Sequence, residues 1–157
     1  MTMKTSEHDL AHLRHAIALS RQARRRGDKP YAAVMVDTRG QVLGEAQNTQ
    51  VSEHDPTAHA ELNLVREAAR RHGDDALVGA TIYASGEPCA MCAGAIYWSG
   101  AARVVFALAA STMDRLDPAE AEPSLPGCRA VLSGGRREVG VAGPLLEDEA
   151  QKAFFDQ

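Results

Sequence analysis

Short β-rich runs alternate with helical-period segments along nearly the whole chain, and that alternation restricts the fold more than any other feature. Residues 7–26 place Leu10, Leu13 and Ile17 at helical spacing, with Arg14, Arg21, Arg24, Arg25 and Arg26 largely elsewhere, until Gly27-Asp28-Lys29-Pro30 ends the run. Residues 31–37 and 41–47 flank Thr38-Arg39-Gly40 as a hairpin. Pro56-Thr57 opens a second helix to His72, with Gly73 as C-cap and Arg70, Arg71 and His72 at the negative end of its dipole. Residues 81–85 read as a strand, 89–98 as a helix and 103–108 as a buried strand. The stretch 111–126 is acidic, contains proline and has no clear period, which predicts mostly loop. A short helix within 124–133, a strand over 136–141 and a terminal helix over 145–155 complete the chain. Helix–strand–helix–strand after residue 57 implies parallel middle strands and an α/β sandwich.

No linker or internal repeat divides the 157 residues, so residues 1–157 are expected to form a single domain. Hydrophobic residues at 45% and charged ones at 24% exclude a disordered chain. No apolar run approaches the roughly 20 residues needed to cross a bilayer, and the first residues lack the apolar core of a secretory signal. A cytoplasmic protein without a membrane partner is expected. The three cysteines, an odd number, fit a reducing compartment. The net charge of −4 speaks against broad phosphate binding, so nucleic acid is not the expected partner. Residues 1–30 do carry seven positive and three negative charges, which read as the solvated face of the first helix.

Four residues carry the chemistry: His59 and Glu61 in Thr57-Ala-His-Ala-Glu, and Cys89 and Cys92 in Glu87-Pro-Cys-Ala-Met-Cys. One imidazole and two thiolates make three good zinc ligands, and a catalytic zinc site leaves its fourth position to water. Cysteines three apart at a helix start share one face, where the positive dipole end favours thiolate. A helix from 59 to 72 carries the chain away by about 21 Å, and the strand over 80–86 brings it back by a similar distance. His59 and Cys89 should therefore meet at one end of the sandwich. Zn²⁺, two thiolates and a neutral imidazole sum to zero charge, which leaves the metal acidic toward water. Glu61, two residues past the His, is placed to exchange protons with that water. Taken alone, Cys89-x-x-Cys92 also suits a thiol redox pair, or half of a structural zinc knot with Cys128 as a further ligand.

The joint pattern His59-x-Glu61 and Pro88-Cys89-x-x-Cys92 resembles the zinc-dependent nucleobase deaminases of the cytidine deaminase superfamily. The resemblance runs firmly from about residue 30 to 108. It implies a three-layer α-β-α sandwich around a five-stranded mixed sheet. It further implies zinc on His59, Cys89 and Cys92, proton transfer by Glu61, and hydrolytic replacement of an exocyclic amine by an oxo group. Asp55-Pro-Thr-Ala-His-Ala-Glu and Cys92-Ala-Gly-Ala-Ile-Tyr-Trp-Ser look most like bacterial guanine deaminases and their nucleoside deaminase relatives, and less closely like tRNA adenosine deaminases. By that likeness Asn48 bonds the base, the Ala60 amide faces a substrate carbonyl, and Tyr31 and Trp98 wall the pocket. Asp114, Asp117, Phe154 and Phe155 are candidates to close it. The expected substrate is a purine base or nucleoside. The alternatives are adenosine in tRNA, a cytosine- or cytidine-type substrate, and a non-catalytic zinc scaffold. A homodimer is expected from the likeness and from the Ala-rich face around residues 93–96.

Overall fold

The computed structural model describes residues 4–121 and 125–155. Helix α1 (Glu7–Arg26) starts in a capping box, in which Ser6 Oγ accepts from the Asp9 amide and Asp9 Oδ2 accepts from the Ser6 amide. It stops at Gly27, whose φ of 98° is left-handed and suits glycine. Strands β1 (Ala32–Val36) and β2 (Val42–Gln47) form the expected hairpin, followed by α2 (Ala60–His72) and a single turn, α3 (Asp74–Leu77). Strand β3 (Thr81–Gly86), helix α4 (Ala90–Ser99) and strand β4 (Arg103–Leu108) form a parallel crossover.

The stretch predicted as loop instead holds helix α5 (Ala110–Leu116) and a 3-10 turn at Pro118–Glu120. Its caps come from distant carboxylates: Glu147 accepts from the Ala109 amide and Glu87 from the Ala110 amide, both at 2.8 Å. The predicted start of the next helix, Ser124, lies outside the described residues, as do Glu122 and Pro123. Helix α6 spans Cys128–Ser133, β5 only Gly140–Ala142, and α7 Glu147–Lys152.

The sheet order is β2-β1-β3-β4-β5, with β1 antiparallel to both neighbours and the last three strands parallel. Strand residues alternate between two cores, because successive side chains leave opposite faces. Ala33, Met35, Ile82, Val104 and Phe106 pack with α2, α4 and α6, whereas Ala32, Val34, Val36, Tyr83 and Val105 pack with α1 and α7. This is a five-stranded mixed sheet with helices on both sides, as the resemblance implied. The C-terminal ends of β3 and β4 and the start of β1 open at one edge, the usual place for a ligand in an open α/β sheet.

A buried ion pair fastens α1 to the opposite end of the sheet. Asp9, 4% exposed, accepts from Tyr83 Oη at 2.6 Å and from both Arg103 Nη atoms at 3.1 Å. Burial alone would raise the Asp9 carboxyl, but the bonds from Arg103, Tyr83 and Ser6 outweigh it and hold it well below the usual carboxylate range. Asp9→Ala is expected to cost about 3 kcal/mol at pH 7 in urea unfolding, since it removes the buried carboxylate to which the Tyr83 hydroxyl and Arg103 donate. The contribution is complete above the unfolded-state value of about 3.9 and is lost as pH falls through the lowered folded value. The gap to wild type should therefore narrow below about pH 4; a gap independent of pH would contradict this assignment.

Candidate active site

His59 is the N-cap of α2 and Cys89 the N-cap of α4, so both side chains sit at helix starts beside the ends of β1 and β3. His59 Nδ1 and Cys89 Sγ lie 3.4 Å apart. Together with Cys92 Sγ, their ligand atoms all lie within 4.8 Å of one another. Helix and strand thus return two segments 30 residues apart to one point. The donor set of one imidazole and two thiols suits zinc. Hydrogen bonds from Cys92 and then His59 bring the Cys89 thiol down to about 4, against its burial. Cys92, as the donor to Cys89, is pushed well above the thiol range, first by that bond and then by burial. Cys128 is buried in the core outside this group, and burial pushes its thiol up to about 12. The four-ligand knot is therefore not assembled here.

Glu61 is the second residue of α2, in its first turn, and is 5% exposed. Burial pushes its carboxyl up to about 7, partly opposed by a hydrogen bond from its own amide. A carboxyl near neutrality can both take and return a proton, which is what general acid–base work requires. Ala60 beside it is the first residue of α2, whose amide has no intrahelical acceptor.

His59, Ala60, Glu61 and Cys89 line a cavity of about 490 Å³. Asn48 and Tyr31 line it as expected, and so do Asp114 and Asp117. Phe154 lies behind Tyr31, ring edge to face at 5.7 Å, while Phe155 is exposed and outside the lining. Gly86 permits the close approach of two walls, since a Cβ there would lie 2.8 Å from Met113 Sδ and 3.1 Å from the Tyr31 ring.

Trp98 requires a correction. It does not line this cavity; it is 85% exposed and packs edge-on against Tyr97. The cause is helical geometry: nine residues past Cys89, at about 100° per residue, Trp98 leaves α4 on the side opposite the cysteine.

Sequence reasoning also passed over several lining residues, among them Lys29, Gln50, Glu87 and Met113. Glu87 precedes the Pro-Cys pair and was legible by position, whereas Gln50 and Met113 carry no local signal. The lining is acidic: Glu87, Asp114, Asp117 and Glu120 contribute to it, while Lys29 is paired with Glu120 and Arg129 lies 3.9 Å from Glu87.

The model of the cytidine and deoxycytidylate deaminase zinc-binding region matches residues 6–108. A probable cytosine deaminase of Schizosaccharomyces pombe is 40% identical over 156 residues, covering 96% of this chain and 94% of that protein. A tRNA-specific adenosine deaminase of Haemophilus influenzae is 41% identical over 101 residues, covering 64% of this chain and 58% of that protein. Among solved structures, guanine deaminase from Bacillus subtilis superposes with a TM-score of 0.64 at 31% identity, covering 76% of this chain and 73% of the other.

Proposed function

This chain belongs to the family defined by the cytidine and deoxycytidylate deaminase zinc-binding region, and from that premise we propose that it deaminates a free purine base or nucleoside, guanine-type first. The chain is a zinc-dependent hydrolytic deaminase of nucleobases or nucleosides. The observation that carries the finer reading is the acidic lining of a small cavity. Its volume of about 490 Å³ holds one planar heterocycle with or without a sugar. Glu87, Asp114, Asp117 and Glu120 oppose a phosphate backbone, whose binding depends on neutralising many charges at once. Guanine-type chemistry is favoured by the likeness to the Bacillus subtilis enzyme. A cytosine-type substrate is the second reading, favoured by the near full-length relative in Schizosaccharomyces pombe.

In this reading His59, Cys89 and Cys92 hold the zinc, which supplies a water of lowered pKa when bound. Glu61 moves two protons in turn: it takes one from the attacking water and gives it to the substrate's ring nitrogen, then takes the proton of the added hydroxyl and gives it to the amine, which leaves as ammonia as the C–N bond breaks. Asn48 and Tyr31 hold the ring, and the Ala60 amide donates to a substrate carbonyl.

Ammonia release is measured with guanine, guanosine, adenine, adenosine, cytosine, cytidine and an adenosine-34 tRNA stem-loop. A purine base or nucleoside should lead and the stem-loop should be inert. Activity confined to the stem-loop would overturn the free-base reading, and a pyrimidine as sole substrate would establish the second one.

We also assign a homodimer and a cytoplasmic location. Helix α4 is apolar on every side, yet Trp98 and Met91 stand exposed on it, as expected of a helix covered by a second copy. The unpaired thiols suit a reducing compartment. Light scattering at micromolar concentration should give the dimer mass, and Trp98→Glu should shift it toward the monomer. A monomer mass for the wild type would refute the assembly.

A further inference from the structure

Asn48 and Gln50 form a closed pair of amides on one wall of the cavity. Asn48 Oδ1 accepts from the Gln50 backbone N–H at 3.0 Å, and Asn48 Nδ2 donates to Gln50 Oε1 at 2.6 Å. A backbone N–H can only donate, so the first bond fixes which end of the Asn48 amide is oxygen. Nδ2 is then the donor of the second bond, which requires oxygen at the facing end of Gln50. Gln50 is left with its Nε2 group and two N–H donors, for which the described residues supply no acceptor. Gln50 lines the cavity, so these donors border the space a substrate would fill.

The pair is held rather than free to turn away. The buried Asp28 carboxylate accepts from the Val51 amide at 3.0 Å, from the Ser52 amide and hydroxyl at 2.8 Å each, and from Arg26 Nε at 2.7 Å. Arg26 donates further to Gln47 Oε1 at 2.8 Å and to the Asn48 carbonyl at 3.0 Å. The ion pair therefore grips the chain on both sides of Asn48 and Gln50. A buried carboxylate that gave up these bonds would be costly, so the two amides are in place before a ligand arrives.

We propose that Gln50 is a specificity-determining residue of the pocket, whose Nε2 amide donates to an acceptor, a ring nitrogen lone pair or a carbonyl oxygen, on the base edge facing Asn48. The proposal rests on the reading of this cavity as the base pocket. A site built to donate to a substrate atom discriminates against the analogue that lacks it, because the buried donor is then left unpaired.

The test compares, as competitive inhibitors of ammonia release, the oxo product of the leading substrate and analogues that each lack one acceptor. These are deaza analogues, with CH in place of a ring nitrogen, and the deoxo analogue. For wild type, one analogue should inhibit about tenfold more weakly than the product. For Gln50→Leu, the product itself should weaken about tenfold and that analogue no further. Gln50→Glu, of nearly the same shape, sets a carboxylate against the acceptor and should weaken the product by about a hundredfold. Asn48→Ala is measured beside them. If Asn48→Ala leaves inhibition and turnover unchanged, the base-pocket reading itself fails. If Asn48→Ala weakens the product while both Gln50 variants rank every analogue as wild type does, the role of Gln50 alone is refuted.

Discussion

Glu61→Gln should keep the fold and the zinc and lose turnover by at least the roughly 10²–10⁴-fold typical of a positioned acid–base group. The substitution preserves shape but leaves an amide that cannot take a proton. The wild-type carboxyl is 5% exposed and pushed up to about 7 by burial, so its proton exchange is tuned by the same surroundings that exclude bulk water. Two checks separate chemistry from structure: zinc content per chain and the thermal transition should match the wild type, while ammonia release on the best substrate should fall. An unchanged rate would make Glu61 merely a carboxylate that compensates the dipole at the start of α2.

Cys89→Ala and Cys92→Ala should each lower bound zinc from one per chain to near zero and abolish turnover. The three ligand atoms lie within 4.8 Å of one another, and a site with only three protein ligands cannot lose one and keep its metal tightly. Since zinc binds the folded site, it should also stabilise the protein, by about 4 kcal/mol at a thousandfold excess over the dissociation constant. Dialysis against a chelator should therefore lower the wild-type melting temperature, and added zinc should restore it. In the Cys variants neither treatment should move it. Stoichiometric zinc in both variants would place the metal elsewhere.

The parts of this molecule that were legible in its sequence are those governed by short-range rules. The period of Leu10, Leu13 and Ile17, the Gly27 boundary of α1, and the buried run of β4 all follow from local spacing. The approach of His59 to Cys89 was legible too, because one helix length and one strand length nearly cancel. Helix α5 was not. Only Thr112 of its residues is buried, so it shows no apolar period, and its start is held by Glu87 and Glu147, remote in sequence. Gln50 escaped for a similar reason: the loop that presents it is shaped by Asp28 and Arg26, more than twenty residues earlier. Trp98 differs from both. Its helical position already set it opposite Cys89, and the family likeness pointed the other way.

Running the reaction in ¹⁸O-labelled water tests most directly the claim that the His59, Cys89, Cys92 and Glu61 cluster carries out hydrolytic deamination of a nucleobase or nucleoside. The zinc-loaded protein should release one ammonia per base consumed and place one ¹⁸O in the product, read by mass spectrometry, and Glu61→Gln should do neither at a comparable rate. A product without label, or equal labelling by wild type and Glu61→Gln, would contradict the account.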